Sequence, residues 1–508
     1  MRGVRLIERA ERHGDAPAVS TRAVRHTYSD LLRASSRVAV GLLQGGEGDL
    51  DEKRVAFLVP GSFEYVATQW GVWRAGGVAV PLSLSAAEPE IEHVLTDAEV
   101  GVVLATRRLE DRIKPLCDRL GIPVRLVEDA LGGDGGALPG VSADRRAMIL
   151  YTSGTTSKPK GVVSTHANLE AQVTALVEAW GWRKNDRVPL FLPLHHVHGI
   201  VNVLSCALWS GASVEAFESF DRDAILERVG DGEYTVFMAV PTIYVKLIEA
   251  LESASVAERQ RWAAGFAAMR LMISGSAALP ASIHRKWTEL TGQKLLERYG
   301  MTEIGMGLSN PLRGERRPGA VGRPLPGVEV RLAAESGAVI DEENEPGEIQ
   351  VRGPGVFKEY WRKPDVTRGA FVDGWFRTGD VAVLEDGYYR IMGRLSVDII
   401  KSGGYKLSAL EIEEVLRQHP AIRECAVVGV PDDTWGEAVA AAVVTKTGSK
   451  LELGELRAWA DSRLSSYRIP RRLLVVNELP RNAMGKVVKP AVRDLFEPRG
   501  PRTRPNPS

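Results

Sequence analysis

Tyr151 to Val162 read YTSGTTSKPKGV, a run of hydroxyl side chains and glycines closed by Lys160. Glycine lets a backbone approach an anion and turn its amide hydrogens toward it, while hydroxyls and an ammonium add further donors. The chemistry these residue types suit is the holding of a polyphosphate. Their order excludes a P-loop, which needs G-x-x-x-x-G-K-[ST]; here Lys160 precedes Gly161 and no serine or threonine follows the pair. The segment AMILY before the loop predicts a short, buried parallel strand. After it, Leu169, Val173, Leu176 and Trp180 recur at helical spacing. Strand, phosphate loop, helix is the expected local order.

The elements that must position this loop can be read from the rest of the chain. At 508 residues it is too long for one core, so two or more domains are expected. Apolar residues make up 44% and charged residues 26%, ordinary for a water-soluble globular protein. Lysine plus arginine and aspartate plus glutamate cancel at 65 each, so no broad field favours nucleic acid or an anionic membrane. Cys117, Cys206 and Cys425 match no metal spacing and read as small core residues in a reducing compartment. The longest apolar runs, such as VNVLSCALW, are far too short to cross a bilayer. The N-terminus, MRGVRLIERAERHG, resembles neither a signal peptide nor an organellar presequence, so the cytoplasm is the expected location.

Apolar segments such as RVAFLV, VGVVLA, TVFMAV and RLMISG predict strands buried on both faces. They alternate with amphipathic stretches such as YSDLLRASSRVAVGLL and AILERV, which indicates an α/β domain with largely parallel sheets. A boundary is expected near Gly393. Beyond it, Ser408 and Glu411 predict a capping box opening the helix ALEIEEVLRQ. The strands CAVVGV and AVAAAVVT, the helix ELRAWADSRL and the strand LLVVNELP follow. The expectation is thus a large domain over residues 1–392, a small α+β domain over 393–496, and a disordered tail over 497–508.

Five further strings join the phosphate loop: LPLHHVHG at 192–199, ERYGMTE at 297–303, GWFRTGD at 374–380, GRLSVDIIKSGGYK at 393–406 and PRNAMGK at 480–486. In this order, from about Tyr28 to Lys489, the chain resembles the adenylate-forming superfamily of acyl-CoA synthetases, adenylation domains and luciferases. The resemblance implies ATP, magnesium and CoA as reactants and cofactor, with small molecules as the only partners. It assigns Thr152, Ser153, Gly154, Thr155, Thr156 and Lys160 to the β- and γ-phosphates in a mobile loop. Tyr299 would stack on adenine, Thr302 would donate to the α-phosphate, and Glu303 would hold magnesium, as a carboxylate beside polyphosphate requires. Asp380 and Arg394 would contact the ribose. Lys486, on a mobile small domain, would reach the reacting carboxylate and α-phosphate, where charge grows in the transition state. Gly403 and Gly404 would line a pantetheine tunnel. The family's hinge position falls on Ser396, where Asp or Lys is usual; serine can absorb the same backbone rotation. Taken one by one, several of these have plainer counterparts: a solvated glutamate, an Asx turn in TGD, an exposed lysine after a turn.

The acid is addressed by Arg298. Family members that activate long apolar acids carry glycine there, and a buried cation needs an anion. A second carboxylate on the substrate would supply one in bidentate geometry. Ser276 in ISGSAALP and His196 would add donors, and Met306 would close the pocket to long chains. This pattern is similar to malonyl-CoA and methylmalonyl-CoA synthetases. In bacterial members of that group a second arginine follows PTxY; here PTIYVK places Lys246 at that position, a point charge rather than a fork. The competing expectations are an internal ion pair for Arg298 with a short or aromatic monocarboxylate as substrate, a carrier protein in place of CoA, or a nucleotide-binding regulator without chemistry.

Overall fold

The structure is a computed structural model and describes residues 4–44, 48–134, 136–152, 159–403, 405–481 and 487–496. Its contacts divide the chain into two compact units: residues 1–331 with 350–377, and residues 332–349 with 378–508.

The first unit is built on three sheets. In the seven-stranded one, Val78–Pro81, Arg54–Leu58, Val102–Ala105 and Val124–Leu126 run parallel. Three of these four strands are buried along almost their whole length, which is why they read as continuous apolar runs. In the second sheet Val236–Ala239, Leu271–Ser274 and Leu296–Met301 are parallel, and a hairpin then adds Gly305–Ser309. The helix Tyr28–Leu43 occupies the predicted amphipathic stretch; Thr27 and Asp30 form its capping box. The core is centred on Trp70, Trp73, Trp180 and Trp287, all nearly or fully buried. All three cysteines are unpaired and buried, and burial pushes the Cys117 thiol up to about 11 and Cys425 to about 12, so they behave as core residues.

The expected strand–loop–helix order needs one correction. Arg146–Thr152 pairs in parallel with Val78–Pro81 on one side, but on the other it pairs antiparallel with a second strand, Lys160–Thr165. The helix His166–Trp180 begins only after that strand. The run VVST is short and fully buried, and its β-branched residues favour a strand that periodicity alone does not separate from a helix start.

In the second unit, Ile399–Ser402, Tyr405–Ser408, Gly436–Thr445, Ile422–Asp432 and Arg472–Val475 form one mixed sheet beside the helices Ala409–Leu416, Leu453–Asp461 and Lys489–Asp494. The capping box expected at Ser408 is half made. Ser408 accepts from the Glu411 amide, but the Glu411 carboxylate pairs with Arg390 and Arg468 instead of returning to the cap. Two cations outcompete a single backbone amide for that carboxylate. The helix expected over ELRAWADSRL stops at Asp461.

Candidate active site

Arg298 lies on the strand Leu296–Met301 and is 4% exposed. Its Nη2 donates to Ser276 Oγ at 3.3 Å, and its buried Nε has no hydrogen-bond partner. No carboxylate among the described residues pairs with it. Burial pulls its pKa down to about 9, so it is still a cation at neutral pH. Ser276 holds the guanidinium from a loop in which its own φ is +69°, a left-handed conformation that costs energy for serine. Beside it, a Cβ on Gly275 would come within 2.5 Å of the Arg298 guanidinium, so only glycine leaves the arginine its place. The internal ion pair that would make Arg298 structural is therefore not formed.

His198 completes this cluster, its Nδ1 lying 3.0 Å from Ser276 Oγ. It opens the π-helix His198–Ser205, whose wide turn carries the buried Asn202 with neither end of its amide bonded. Neither residue stands out in the sequence, where an HxxxN pair on an apolar run reads as ordinary core. The His195 and His196 rings lie 4.1 Å apart between centroids, tilted by 48°, and burial lowers the His195 pKa to about 4. Met306 is buried opposite Gly300 in the hairpin, close enough that a Cβ at Gly300 would meet its Cε at 2.6 Å. Lys246 is exposed on the helix Pro241–Ser253, and no hydrogen bond or ion pair joins it to Arg298 or Ser276.

Glu303 is buried in the turn between Leu296–Met301 and Gly305–Ser309. The Tyr360 hydroxyl donates to its Oε1 at 2.9 Å, and the Phe357 amide donates to its backbone oxygen at 2.7 Å. Lys160 Nζ sits 4.9 Å from the centroid of the same Tyr360 ring. Tyr360, which no motif flagged, thus joins the expected metal carboxylate to the lysine that closes the phosphate loop. Thr152 and Lys160 face each other across the two strands that flank the loop. Thr302 and Tyr299 are half-exposed on the hairpin. Ser153, Gly154, Thr155 and Thr156 lie outside the described residues.

A single buried carboxylate held by a hydroxyl suits magnesium, which takes one or two protein carboxylates and fills its remaining positions with substrate phosphates and water. Among the described residues no group of three His, Cys, Asp or Glu could hold a metal without such a substrate.

In the second unit, Asp380 is buried on Trp375–Glu385 and pairs with Arg394 across the antiparallel register, Nε to Oδ1 at 2.9 Å. Asp398 accepts from the Arg394 amide at 3.0 Å and binds Lys489 Nζ at 3.3 Å. Ser396 lies between those two anchored residues. Gly403, at φ +57°, lies against the Trp435 ring, 2.9 Å from where a Cβ would stand. Gly404 and Lys486 lie outside the described residues.

Residues 6–361 match the family described as AMP-binding enzyme, and residues 411–486 its C-terminal domain. The chain belongs to the AMP-binding enzyme family. This family member is 46% identical to the mitochondrial malonate–CoA ligase ACSF3 of Mus musculus, over 99% of this chain and 92% of that one. It is 40% identical to a malonate–CoA ligase of Arabidopsis thaliana, over 95% and 86%. Among solved structures, ATP-bound MatB from Rhodopseudomonas palustris superposes with a TM-score of 0.89 at 35% identity, covering 97% of this chain and 99% of that one. The large domain followed by a small C-terminal one, expected from the motif series, is thus a property of this AMP-binding enzyme.

Proposed function

We propose that this protein is an AMP-forming malonate–CoA ligase. The observation that carries the reading is Arg298, a buried guanidinium held by Ser276 and cleared by Gly275, with no carboxylate among the described residues paired to it. An uncompensated buried cation is costly, and the distal carboxylate of malonate supplies the missing charge. The curated malonate–CoA ligases similar along nearly the whole chain support the same substrate.

The reaction has two steps. One malonate carboxylate oxygen attacks the α-phosphorus of ATP and pyrophosphate leaves, giving malonyl-AMP. The CoA thiol then attacks the acyl carbon, losing its proton, and AMP leaves with the electron pair of the broken C–O bond. No protein nucleophile is required, so the chain's work is positioning and charge stabilisation. In this reading Arg298 and Ser276 fix the distal carboxylate so that the other reaches the phosphorus. Lys160 and the hydroxyls of the phosphate loop hold the leaving pyrophosphate, while Thr302 and Lys486 stabilise the α-phosphate oxygens. Asp380 and Arg394 hold the ribose. Glu303, kept in place by Tyr360, would hold magnesium, which when bound neutralises charge on the phosphates. Gly403 and Gly404 give the pantetheine arm room, and Ser396 is the pivot for the small domain.

His196 is assigned as a further donor and Met306 as the wall against longer acids. Lys246 would add a second, outlying positive charge. No helix of the described residues is long and apolar enough to cross a membrane. A reducing compartment, which the unpaired cysteines suit, is proposed to be the cytoplasm; imaging of the tagged chain decides between it and the mitochondrial location of the mouse relative.

The reading is tested by AMP release with ATP, magnesium and CoA, supplied with malonate, methylmalonate, acetate, benzoate or octanoate in turn. Turnover confined to the two diacids supports it. Preference for a monocarboxylate contradicts it while leaving the ligase chemistry standing.

A further inference from the structure

On the outer side of the first unit a cavity of about 210 Å³ opens between the helix Ala281–Thr291 and the segment 294–318. His284, Arg285, Thr288, Lys294, Arg316 and Pro318 line it. None of the nucleotide, magnesium or malonate residues above contributes to it.

Its charge is one-sided. Arg285, Lys294 and Arg316 line it, no lining residue is acidic, and none of the three pairs with a carboxylate among the described residues. Arg316 donates only to backbone carbonyls, through Nε to Pro311, Nη1 to Lys294 and Nη2 to Leu312. Those bonds fix the guanidinium in place without cancelling its charge. Thr288 gives its proton to the carbonyls of His284 and Gln293 and has none to offer. Three like charges around one concavity, that of Arg316 fixed by its bonds, repel one another and raise the local anion concentration.

His284 supplies the second observation. It is 2% exposed, and its Nε2 donates to Leu295 O at 3.0 Å, which places the ring proton there. Its Nδ1 is buried and has no partner. A buried lone pair of this kind is completed by a donor. The occupant that answers both features carries negative charge and a proton on the same group. Hydrogen phosphate and singly protonated phosphate monoesters do so; sulfate and chloride do not.

We propose that this cavity is a phosphate-binding site, separate from the nucleotide site, in which Arg285, Lys294 and Arg316 bind the oxyanion and His284 Nδ1 accepts its proton. The same chemistry is carried by free inorganic phosphate and by the 3′-phosphate of CoA, and the test separates them.

Inorganic phosphate and sulfate are titrated calorimetrically into the full-length protein at matched ionic strength, with magnesium and a non-hydrolysable ATP analogue filling the nucleotide site. The double variant Arg285→Gln/Lys294→Gln is the comparison. Both side chains are exposed, so the fold is expected to be retained, which circular dichroism of the variant checks. The expected result is one phosphate per chain, sulfate weaker, and phosphate binding about tenfold weaker in the double variant, as loss of two partly screened charges implies. Equal phosphate affinity in the two proteins, or no saturable phosphate binding in the wild type together with an unchanged KM for CoA in the variant, overturns the site. If the variant raises the KM for CoA but not for dephospho-CoA, the occupant is the CoA phosphate. If both KM values stay unchanged while phosphate binding weakens, it is free phosphate.

Discussion

Ser276 bridges His198 and Arg298, and that bridge aims the guanidinium. Removing one such hydrogen bond to a charged group costs about 1.5–3 kcal/mol. Ser276→Ala is therefore expected to lower kcat/KM for malonate roughly tenfold or more, leaving the KM for ATP unchanged; steady-state kinetics in both substrates checks this, and a loss confined to ATP would remove serine from the acyl site. At this scale the sequence was informative where chemistry is unusual. Arg298 within ERYGMTE stands out against the family resemblance, in which many members that activate long apolar acids carry glycine there. His198, Asn202 and Tyr360 did not, because their roles come from burial and from partners 57 to 78 positions away. Lys246 shows the converse: a sequence position matched to a bacterial arginine falls on an exposed turn of its helix.

At the scale of elements, two strands and a hairpin assemble the side of the site where magnesium is proposed to bind. Tyr360 sits on Glu359–Tyr360, which pairs with Lys160–Thr165, and from there its hydroxyl reaches Glu303 on the hairpin turn. Partners of this kind orient a metal ligand, and losing one typically costs 10- to 100-fold in metal affinity or activity. Tyr360→Phe is expected to raise the magnesium concentration for half-maximal rate by about tenfold, measured at fixed ATP; an unchanged magnesium dependence would leave the tyrosine with a packing role only.

The helix His166–Trp180 carries a pH-dependent element. Burial lowers the His166 pKa to about 4, below the usual 6.5. The unfolded chain then takes up a proton between pH 6.5 and 4 that the folded chain refuses. Stability is full above pH 6.5 and falls as pH drops through that window, by up to about 3 kcal/mol. Urea denaturation from pH 7 to 4 should show this fall, and His166→Gln should reduce it, leaving the share due to His195, whose pKa burial also lowers to about 4; an identical slope in the variant would assign the proton uptake elsewhere. The same region shows why the phosphate loop's surroundings were only partly legible. Leu169, Val173, Leu176 and Trp180 predict the helix, but VVST is too short to show a period and is buried throughout, so nothing in the sequence separates the second strand from the loop.

At the scale of the whole molecule, the two steps make opposite demands. Adenylation requires a cation on the reacting oxygens, and thioester formation requires that place for the thiol. One lysine on a separate unit meets both if it leaves between steps. Lys486→Ala is accordingly expected to lower malonate-dependent pyrophosphate formation at least a thousandfold, while thioester formation from supplied malonyl-AMP changes little. Equal loss of both half-reactions would refute the assignment. The order of the motifs along the chain disclosed the family and its two-domain plan. The boundary itself was harder to read: the compact units divide within the strands around 332, 350 and 378, where a sheet residue on either side looks alike in sequence.

Arg298 is the proposed receptor for a second carboxylate, and kcat/KM for malonate and for acetate in Arg298→Gln measures this role most directly. Loss of one side of a buried charge pair costs about 2–5 kcal/mol. The prediction is a fall of some thirty- to several thousandfold for malonate with little change for acetate. An unchanged malonate value, or an equal fall for both acids, would contradict it.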